Sequence, residues 1–568
     1  MLRASHRASL IGLLAAALLA LAACSPAQDA EQADPAATMD PTAATPAASD
    51  ETAGVAPLLE GIGPVRFPIS TDSERAQAYF NQALTFSYGF NHAEAARSFR
   101  EAARLDDTCG ICWWGVALAL GPNINKEMAE EDIPKAWEAV QNALAREQNE
   151  NEHEQAYITA ISARYTEDGA DRPALDAEYA EAMAELVADY PDDLHAQALY
   201  AESLMDLYPW SYWNDDGSPK EHTETLVAAI EKVIAEDPTH PGALHLYIHV
   251  MEKHTPKRAE EAADRLGPLV PVAGHLVHMP SHIYLRVGRY HDAVIANDKA
   301  SMADEDYIAQ CNAQGFYPAA YYPHNIHFLW YSAMMEGRKA LALESAQKLH
   351  DKVPLEAARE FGAIQAYLAV PSYTYVRFGM WDEALAVPEP EQGLVIATYM
   401  RHYGRGMAEA ALGNVEGARA ELAAMQAIID SGDFSAQMDR QGDIGDILAS
   451  IATSLVKARI ARAGGDADAE IANLTEAVAS QDSLPYTEPP YWHFPIRQSL
   501  GSAYLRAGNH QRAADTFSED LANFPNNGWS LHGLAEAYRG LGKPTEDLDE
   551  ALKVAWQYSD IEPTAGAE

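Results

Sequence analysis

The chain has 568 residues, of which 48% are hydrophobic and 22% are charged, and its formal net charge at pH 7 is −44. This length and composition allow a large globular core. The negative charge argues against nucleic acid and anionic lipid as partners, because a polyphosphate would be repelled. The binding of cations is compatible with such a charge.

The first 23 residues have the features of a secretory signal peptide rather than of a folded element. Arg3 and Arg7 precede a short apolar run at 10–21, and the sequence LAAC follows at 21–24. This motif resembles the lipobox of bacterial lipoproteins, which implies that Cys24 becomes an acylated first residue. Three acyl chains would anchor the protein stably, since each buried methylene contributes about 0.8 kcal/mol. The alternative is an ordinary cleaved signal with a chance cysteine.

The residue after Cys24 is Ser25 rather than aspartate, which favours the outer membrane over the inner one and a chain that faces the periplasm or the surface. Residues 24–60 are predicted to form a flexible tether, because 25–56 are rich in alanine, proline, threonine and acidic residues and contain no aromatic side chain. No later stretch approaches 18 uninterrupted apolar residues, so no further membrane span is predicted.

The rest of the sequence is rich in alanine, with glycine, asparagine and proline breaks and no alternating strand pattern, which predicts an all-α fold. A repeat is clearest at 494–527. Seven residues there match the 34-residue tetratricopeptide (TPR) pattern: Leu500, Gly501, Tyr504, Gly508, Ala513, Phe517 and Pro525. The sequence therefore resembles a TPR array, and the resemblance implies a right-handed superhelix of helix hairpins with a concave groove.

A weaker register of turns and small residues extends this resemblance towards the N-terminus. It predicts one TPR-like array at 61–350 and a second at 351–545, followed by an acidic helix and tail at 546–568. A tryptophan-rich insertion at 210–219 interrupts the first array.

Ten of the 20 histidines lie between His240 and His327. Many are spaced three or four residues apart on three candidate helices, so that they share one helix face. In the TPR register these faces line the concave groove. The candidate ligands of a shared transition-metal site are His245, His249, Glu252, His275, His278, His282, His324 and His327.

Neutral imidazole is a common ligand of zinc, copper and iron ions, and the sequence leaves the choice of metal open. One alternative is a polar groove that recognises an anionic or peptide ligand, and another is a set of hydrogen-bonded structural histidines. The zinc-protease motif HExxH is absent from the sequence.

The cysteines after Cys24 are Cys109, Cys112 and Cys311. A disulfide between Cys109 and Cys112 is the expectation in an oxidising compartment. Binding of a soft metal such as Cu(I) by the same pair is the alternative. Cys311 has no evident partner.

The aromatic stretch EPPYWHFP at 488–495 could line a ligand pocket, although packing between repeats is an alternative. Three functional hypotheses follow. The first is an envelope-anchored binding scaffold with a metal in its groove and an envelope protein, a peptide or a small ligand as its partner. The second is a metal-dependent hydrolase or oxidoreductase that uses the same histidines. The third is a metal-free assembly lipoprotein.

Overall fold

A computed structural model describes residues 56–564, apart from 170, 312, 314–315 and 439–442. The predicted signal peptide, Cys24 and most of the predicted tether lie outside the described residues. The last part of that tether is packed, because Leu59 is buried and donates its backbone N–H to Gln82 (2.8 Å). Tyr79 likewise donates its hydroxyl to the carbonyl of Ala56 (2.8 Å). The described end of the predicted tether, 56–60, therefore contacts the helix at 74–88.

Within the described ranges the secondary structure is helical, with two isolated β-bridges. The first helices are α1 (Glu74–Tyr88), α2 (His92–Leu105), α3 (Gly110–Leu120), α4 (Ile133–Leu144), α5 (Glu152–Ser162), α6 (Arg172–Asp189), α7 (Leu194–Asp206), α8 (Thr223–Glu236) and α9 (Pro241–Met251). The central helices are α10 (Glu260–Leu266), α11 (Gly274–His278), α12 (Pro280–Val287), α13 (Tyr290–Cys311), α14 (Phe316–Met335), α15 (Lys339–Lys352), α16 (Leu355–Glu360), α17 (Gln365–Leu368), α18 (Val370–Arg377) and α19 (Trp381–Ala386). The C-terminal helices are α20 (Val395–Ala411), α21 (Val415–Ser431), α22 (Asp433–Met438), α23 (Ile444–Ala463), α24 (Ala467–Asp482), α25 (Arg497–Arg506), α26 (His510–Asn523), α27 (Gly528–Gly540) and α28 (Glu546–Ala555).

Successive helices pack against each other along the chain, as in an α-solenoid of TPR-like hairpins. The packing at the C-terminal repeat has the expected chemistry. A Cβ atom on Gly501 would lie 2.6 Å from the ring of Phe517, and one on Gly533 would lie 2.3 Å from it. Only glycine allows α25 and α27 to approach this ring so closely. The same close packing occurs between α3 and α2, where a Cβ atom on Gly115 would overlap the ring of Phe99.

The C-terminal hairpin also contacts the middle of the chain. The indole N–H of Trp529 on α27 donates to the carbonyl of Met334 at the end of α14 (3.0 Å). The carboxylate of Asp560 accepts from the backbone N–H groups of Lys339 (2.6 Å) and Ala340 (3.0 Å). These contacts hold α27 and Asp560 against the end of α14 and the start of α15.

One buried apolar cluster extends from Ala56 to Ala537, and a smaller one lies around Val353 and Ala397. The division into arrays at residue 350 therefore stays a prediction. None of the helices in the described part of the chain is both long enough and apolar enough to cross a bilayer.

Candidate metal centre

Two histidine pairs with the same spacing present their Nε2 atoms to each other. On α9, the Nε2 atoms of His245 and His249 lie 3.0 Å apart. Across the junction of α11 and α12, the Nε2 atoms of His278 and His282 are also 3.0 Å apart. Two nitrogen ligands of a tetrahedral zinc ion, with bonds of about 2.0–2.1 Å, lie about 3.3 Å apart. Both pairs are thus close to the separation that one ion requires.

The sequence predicts one helix across this junction, and the structure divides it at Met279. Pro280 has no N–H to continue the hydrogen-bond ladder. Met279 nevertheless keeps helical dihedral angles (φ −51°, ψ −37°), so the direction of the chain is maintained. His278 and His282 therefore remain on one face.

A third histidine stands beside each pair. His245, His249 and His275 form one group, named here the first triad, and His278, His282 and His324 form the second triad. Within each triad one nitrogen atom per ring lies within 4.8 Å of the others. Five of the six side chains are buried, and His324 is half-buried.

Hydrogen bonds fix the orientation of the first pair. The Nδ1 atom of His245 lies 2.6 Å from the backbone carbonyl of Tyr88, which can only accept, so this nitrogen carries the proton. The Nε2 atom of His245 is then unprotonated, and its lone pair faces His249. On the other side of the His249 ring, Nδ1 is buried without a hydrogen-bond partner, 3.8 Å from Glu252.

His275 completes the first triad and has no hydrogen-bond partner at either ring nitrogen, although its side chain is only 2% exposed. Its ring centroid lies 5.0 Å from that of His245 and 6.4 Å from that of His249. A buried polar atom without a partner costs about 1–3 kcal/mol. A bound cation would accept the lone pair of the unprotonated ring nitrogen and remove that part of the cost.

The second pair is oriented by Asn297 on α13. Its amide nitrogen donates to the carbonyl of Ala293 (2.7 Å), which directs its oxygen to Nδ1 of His278 at 2.6 Å. The Nδ1 atom of His278 therefore carries the proton. Its Nε2 atom is unprotonated, and the lone pair on that atom is directed at His282. Metal-bound histidines usually donate their second N–H to a protein acceptor in this way.

Two carboxylates flank the other nitrogen of His282. Its Nδ1 atom lies 2.9 Å from Glu252 and 3.3 Å from Glu488. Burial lowers the pKa of His282, but the two carboxylates outweigh that effect and raise the pKa to about 9. In the metal-free protein this ring is a cation that donates Nε2–H to His278. A metal ion at the second triad would take the place of this proton.

The other histidines of the two triads are held neutral. Loss of water on burial, together with the neighbouring imidazoles, places the pKa values of these rings well below the usual range: His245, His249, His275, His278 and His324. Since a metal ligand must be deprotonated, these rings are ready to coordinate at neutral pH.

The two triads share access to one pocket of about 720 Å³, whose wall includes His249 and His275 from the first triad and His282 and His324 from the second. Most of the other residues that line the pocket are apolar, and Tyr321 and Tyr367 also line it. Three protein ligands leave one position of a tetrahedral ion open. Side chains of both triads therefore border the same pocket.

His327 belongs to neither triad. Its ring stacks on Trp330 with centroids 5.3 Å apart and planes 14° apart, and lies 5.1 Å from Tyr367. Burial lowers its pKa to about 3. Among the predicted ligands, Glu252 contacts rings of both triads, since it lies near His249 and His282.

Another close histidine pair shows what a complete hydrogen-bond network looks like. The Nε2 atom of His240 lies 3.1 Å from Nδ1 of His195. The Nδ1 atom of His240 accepts from the N–H of Ala243 (3.1 Å), and Nε2 of His195 faces the carbonyl of Arg66 (3.0 Å). One assignment of protons satisfies all four nitrogens, so this pair has no need of an ion.

Sequence reasoning did not identify Glu488, Asn297 or the carbonyl of Tyr88 as parts of the centre. Glu488 lies 206 residues after His282 in the sequence and reaches it because the C-terminal hairpins contact the middle of the chain. In the sequence, the stretch at 488–495 is distinctive only for its aromatic residues. Asn297 lies in the long helix α13, and no local sequence pattern singles it out.

The Cys109 and Cys112 sulfurs are joined in a disulfide (S–S 2.00 Å), and both residues are buried at the start of α3. The carboxylate of Glu150 accepts from the backbone N–H of Gly110 and from that of Ile111 (3.0 Å). Cys311 is a free, buried thiol, and burial raises its pKa to about 11. None of these cysteines belongs to either triad.

No protein-family model and no curated protein matches the sequence. Among solved structures, the chain is similar to a crystal structure titled APC/C hetero-tetramer Cut9-Hcn1, with 13% identity over 86% of this chain and 78% of that chain and a TM-score of 0.28. It is also similar to human IFIT1 (11% identity, 80% and 90% coverage, TM-score 0.29) and to yeast Tom70 (11% identity, 86% and 93% coverage, TM-score 0.25). Likeness at these scores carries no argument about function.

Proposed function

We propose that this protein is an envelope-anchored TPR-like lipoprotein that binds two transition-metal ions, one at each histidine triad. The observation that supports this most is the shared orientation of His245 and His278. Each ring donates Nδ1–H to a fixed acceptor and turns its Nε2 lone pair to a second imidazole 3.0 Å away.

The ligand set favours borderline metals such as zinc, copper or iron over calcium and magnesium, which prefer oxygen ligands. The carboxylates of Glu252 and Glu488 would hold the ring of His282 from behind rather than bind the ion, as outer-sphere carboxylates do in zinc sites. They would also supply negative charge next to the bound cation.

The test is equilibrium dialysis of tag-free, metal-free protein against Zn²⁺. The wild type should retain two ions per chain. His245→Ala with His249→Ala, and His278→Ala with His282→Ala, should each retain one. The control is His195→Ala with His240→Ala, which removes a histidine pair whose ring nitrogens are similarly close (3.1 Å). This variant should retain two zinc ions. Circular dichroism of each variant checks that its helix content is unchanged. Wild-type protein that retains no zinc would refute the proposal.

A metal-dependent enzyme is the second candidate, because members of both triads line one apolar pocket of about 720 Å³. A purely structural metal site is normally closed by four protein ligands. Protein loaded with Co²⁺ reports on this difference, since an exogenous ligand such as azide changes the visible spectrum only when it can reach the ion. A visible spectrum that does not change on addition of azide would favour a closed metal-binding site over an enzyme.

Anchoring through Cys24 is the second part of the proposal. Its support is the signal-like N-terminus and the LAAC sequence at 21–24. Cells that are fed radioactive palmitate should label the wild type, and Cys24→Ser should abolish the label and release the chain from the membrane fraction. Unchanged fractionation of Cys24→Ser would contradict anchoring. The protein or peptide partner predicted for the concave groove stays a prediction.

A further inference from the structure

A second cavity adjoins the metal centre and differs from it in chemistry. It has a volume of about 1040 Å³ and lies between α14, α17, α18 and the loop that precedes α25. We name it the aromatic chamber, because six large aromatic side chains line it: Trp330, Tyr367, Tyr373, Phe434, Tyr491 and Trp492.

The chamber and the metal-facing pocket meet at two side chains. His324, a member of the second triad, and Tyr367 line both cavities. Glu488, which lies behind His282, also lines the chamber. A molecule in the chamber would therefore lie against the second triad.

The described lining of the chamber disfavours an anionic occupant. Among the described residues that line it there is no lysine or arginine, and the one carboxylate is that of Glu488. Glu488 is already engaged, since it accepts from the hydroxyl of Tyr486 (2.5 Å) and faces His282. A neutral molecule is the occupant that these walls accept.

Two buried polar groups in the chamber wall lack hydrogen-bond partners. They are Nε1–H of Trp492, whose side chain is 1% exposed, and Nδ1 of His493, whose side chain is 3% exposed. The other nitrogen of His493 lies 3.3 Å from the hydroxyl of Tyr403, and its ring stacks on Tyr373 at 4.5 Å. Buried groups of this kind are normally paired. An oxygen atom of a ligand would supply the missing partner for the indole N–H.

From these observations we infer that the aromatic chamber binds a neutral, planar aromatic molecule that carries a hydroxyl or carbonyl oxygen. The rings of the wall provide stacking partners, Trp492 provides a donor to the oxygen, and the shared wall at His324 places the molecule beside the second triad. Binding of this molecule is independent of the proposed metal ions, whereas its role as a substrate or metal-directed ligand rests on them.

The test uses 1-naphthol as the probe and full-length metal-free protein, with binding followed by isothermal titration calorimetry. We expect saturable binding of one molecule per chain, with a dissociation constant of the order of 100 μM for a ligand of this size. The anion 1-naphthoate should bind at least about 10-fold more weakly, because no cation among the described lining residues offsets its loss of water. The absence of saturable naphthol binding would overturn the inference.

Two variants locate the site. Ala366→Phe fills the chamber and should weaken naphthol binding at least about 10-fold, whereas Ala319→Phe, which lies in the wall of the metal-facing pocket, should leave it unchanged. Trp492→Phe keeps an aromatic ring but removes the N–H, so it should weaken naphthol binding about 5-fold and leave the binding of naphthalene unchanged. Trp492→Phe also serves as the test should Ala366→Phe fail to fold.

Binding of naphthol that neither Ala366→Phe nor Trp492→Phe weakens would place the probe elsewhere and overturn the inference. The metal and the ligand proposals fail separately. If the protein binds naphthol but retains no zinc, the chamber proposal stands and the metal proposal is refuted. If it retains two zinc ions but binds no naphthol, the metal proposal stands and the chamber proposal is refuted.

Discussion

His278 and Asn297 form a hydrogen bond of 2.6 Å that decides which nitrogen of the imidazole is available. The amide oxygen of Asn297 accepts from Nδ1, and the Nε2 lone pair of His278 is thereby directed at His282. The orientation of His278, a proposed ligand, is thus set from a different helix, α13, before any ion binds. The same arrangement recurs at His245, where the carbonyl of Tyr88 is the acceptor.

Asn297→Leu should weaken metal binding at the second triad about 10- to 100-fold, because the ring of His278 loses the acceptor that fixes its orientation. The measurement is competitive zinc titration against a chromogenic chelator, with the first triad as an internal reference. Asn297→Asp restores an acceptor and is the matched control. Equal affinity in Asn297→Leu and wild type would show that the hydrogen bond has no role in metal binding.

The carboxylate of Glu488 should control the charge of His282 in the metal-free protein. The pKa of His282 is raised to about 9 by Glu252 and Glu488 against the effect of burial, and Glu488→Gln removes one of those charges. We therefore expect the pKa of His282 to fall in this variant, as measured by NMR titration of ¹³C-labelled histidine. Glu336→Gln, a buried carboxylate that pairs instead with His291, should leave it unchanged. A pKa that does not move in Glu488→Gln would remove Glu488 from the centre.

The sequence was sufficient to predict the all-α, TPR-like fold, because the pattern of Gly501, Ala513 and Phe517 reports a local requirement for close helix packing. Imidazoles three and four residues apart share a helix face, and this is why the sequence predicts a shared site on these helices; metal binding there stays a prediction. The sequence could not predict Glu488, because no local signal shows which distant hairpin returns to α12. Nor could it show that His327 turns towards Trp330, because a spacing of three residues from His324 leaves both rings on one helix face.

The position of Cys109 and Cys112 leads to a chemical test. Because the two sulfurs are joined and both residues are buried, neither should react with iodoacetamide in the native, unreduced protein. Denaturation alone should expose only Cys311 among the described cysteines, and denaturation with reduction should expose all three. Peptide mass spectrometry distinguishes these states. Labelling of Cys109 and Cys112 in denatured protein without a reductant would show that the pair is a dithiol.

The buried carboxylate of Asp520 should make stability depend on pH. Burial raises its pKa from 3.8 to about 6, in spite of hydrogen bonds from Ser530, Gln498 and Asn527. A raised carboxyl pKa means that the charged form is penalised in the folded state, so this group destabilises the protein as pH rises from about 4 through 6. Relative to Asp520→Asn, the wild type should lose up to about 3 kcal/mol of unfolding free energy over that range.

Urea denaturation of wild type and Asp520→Asn at pH 4.5, 6 and 7.5 measures this difference. Other titrating groups are common to the two proteins and cancel in the comparison. A difference in unfolding free energy that stays constant with pH, or one that grows in favour of the wild type at high pH, would show that Asp520 has an ordinary pKa.

The number of metal ions on the intact chain tests the central claim most directly. Native mass spectrometry of tag-free protein, exchanged into a volatile buffer after equilibration with zinc, gives that number from the mass alone. We predict a dominant species with two zinc ions, and a loss of one ion in each of the two triad double variants. A wild-type chain whose mass corresponds to no bound metal under these conditions would contradict the account and identify the six imidazoles as structural.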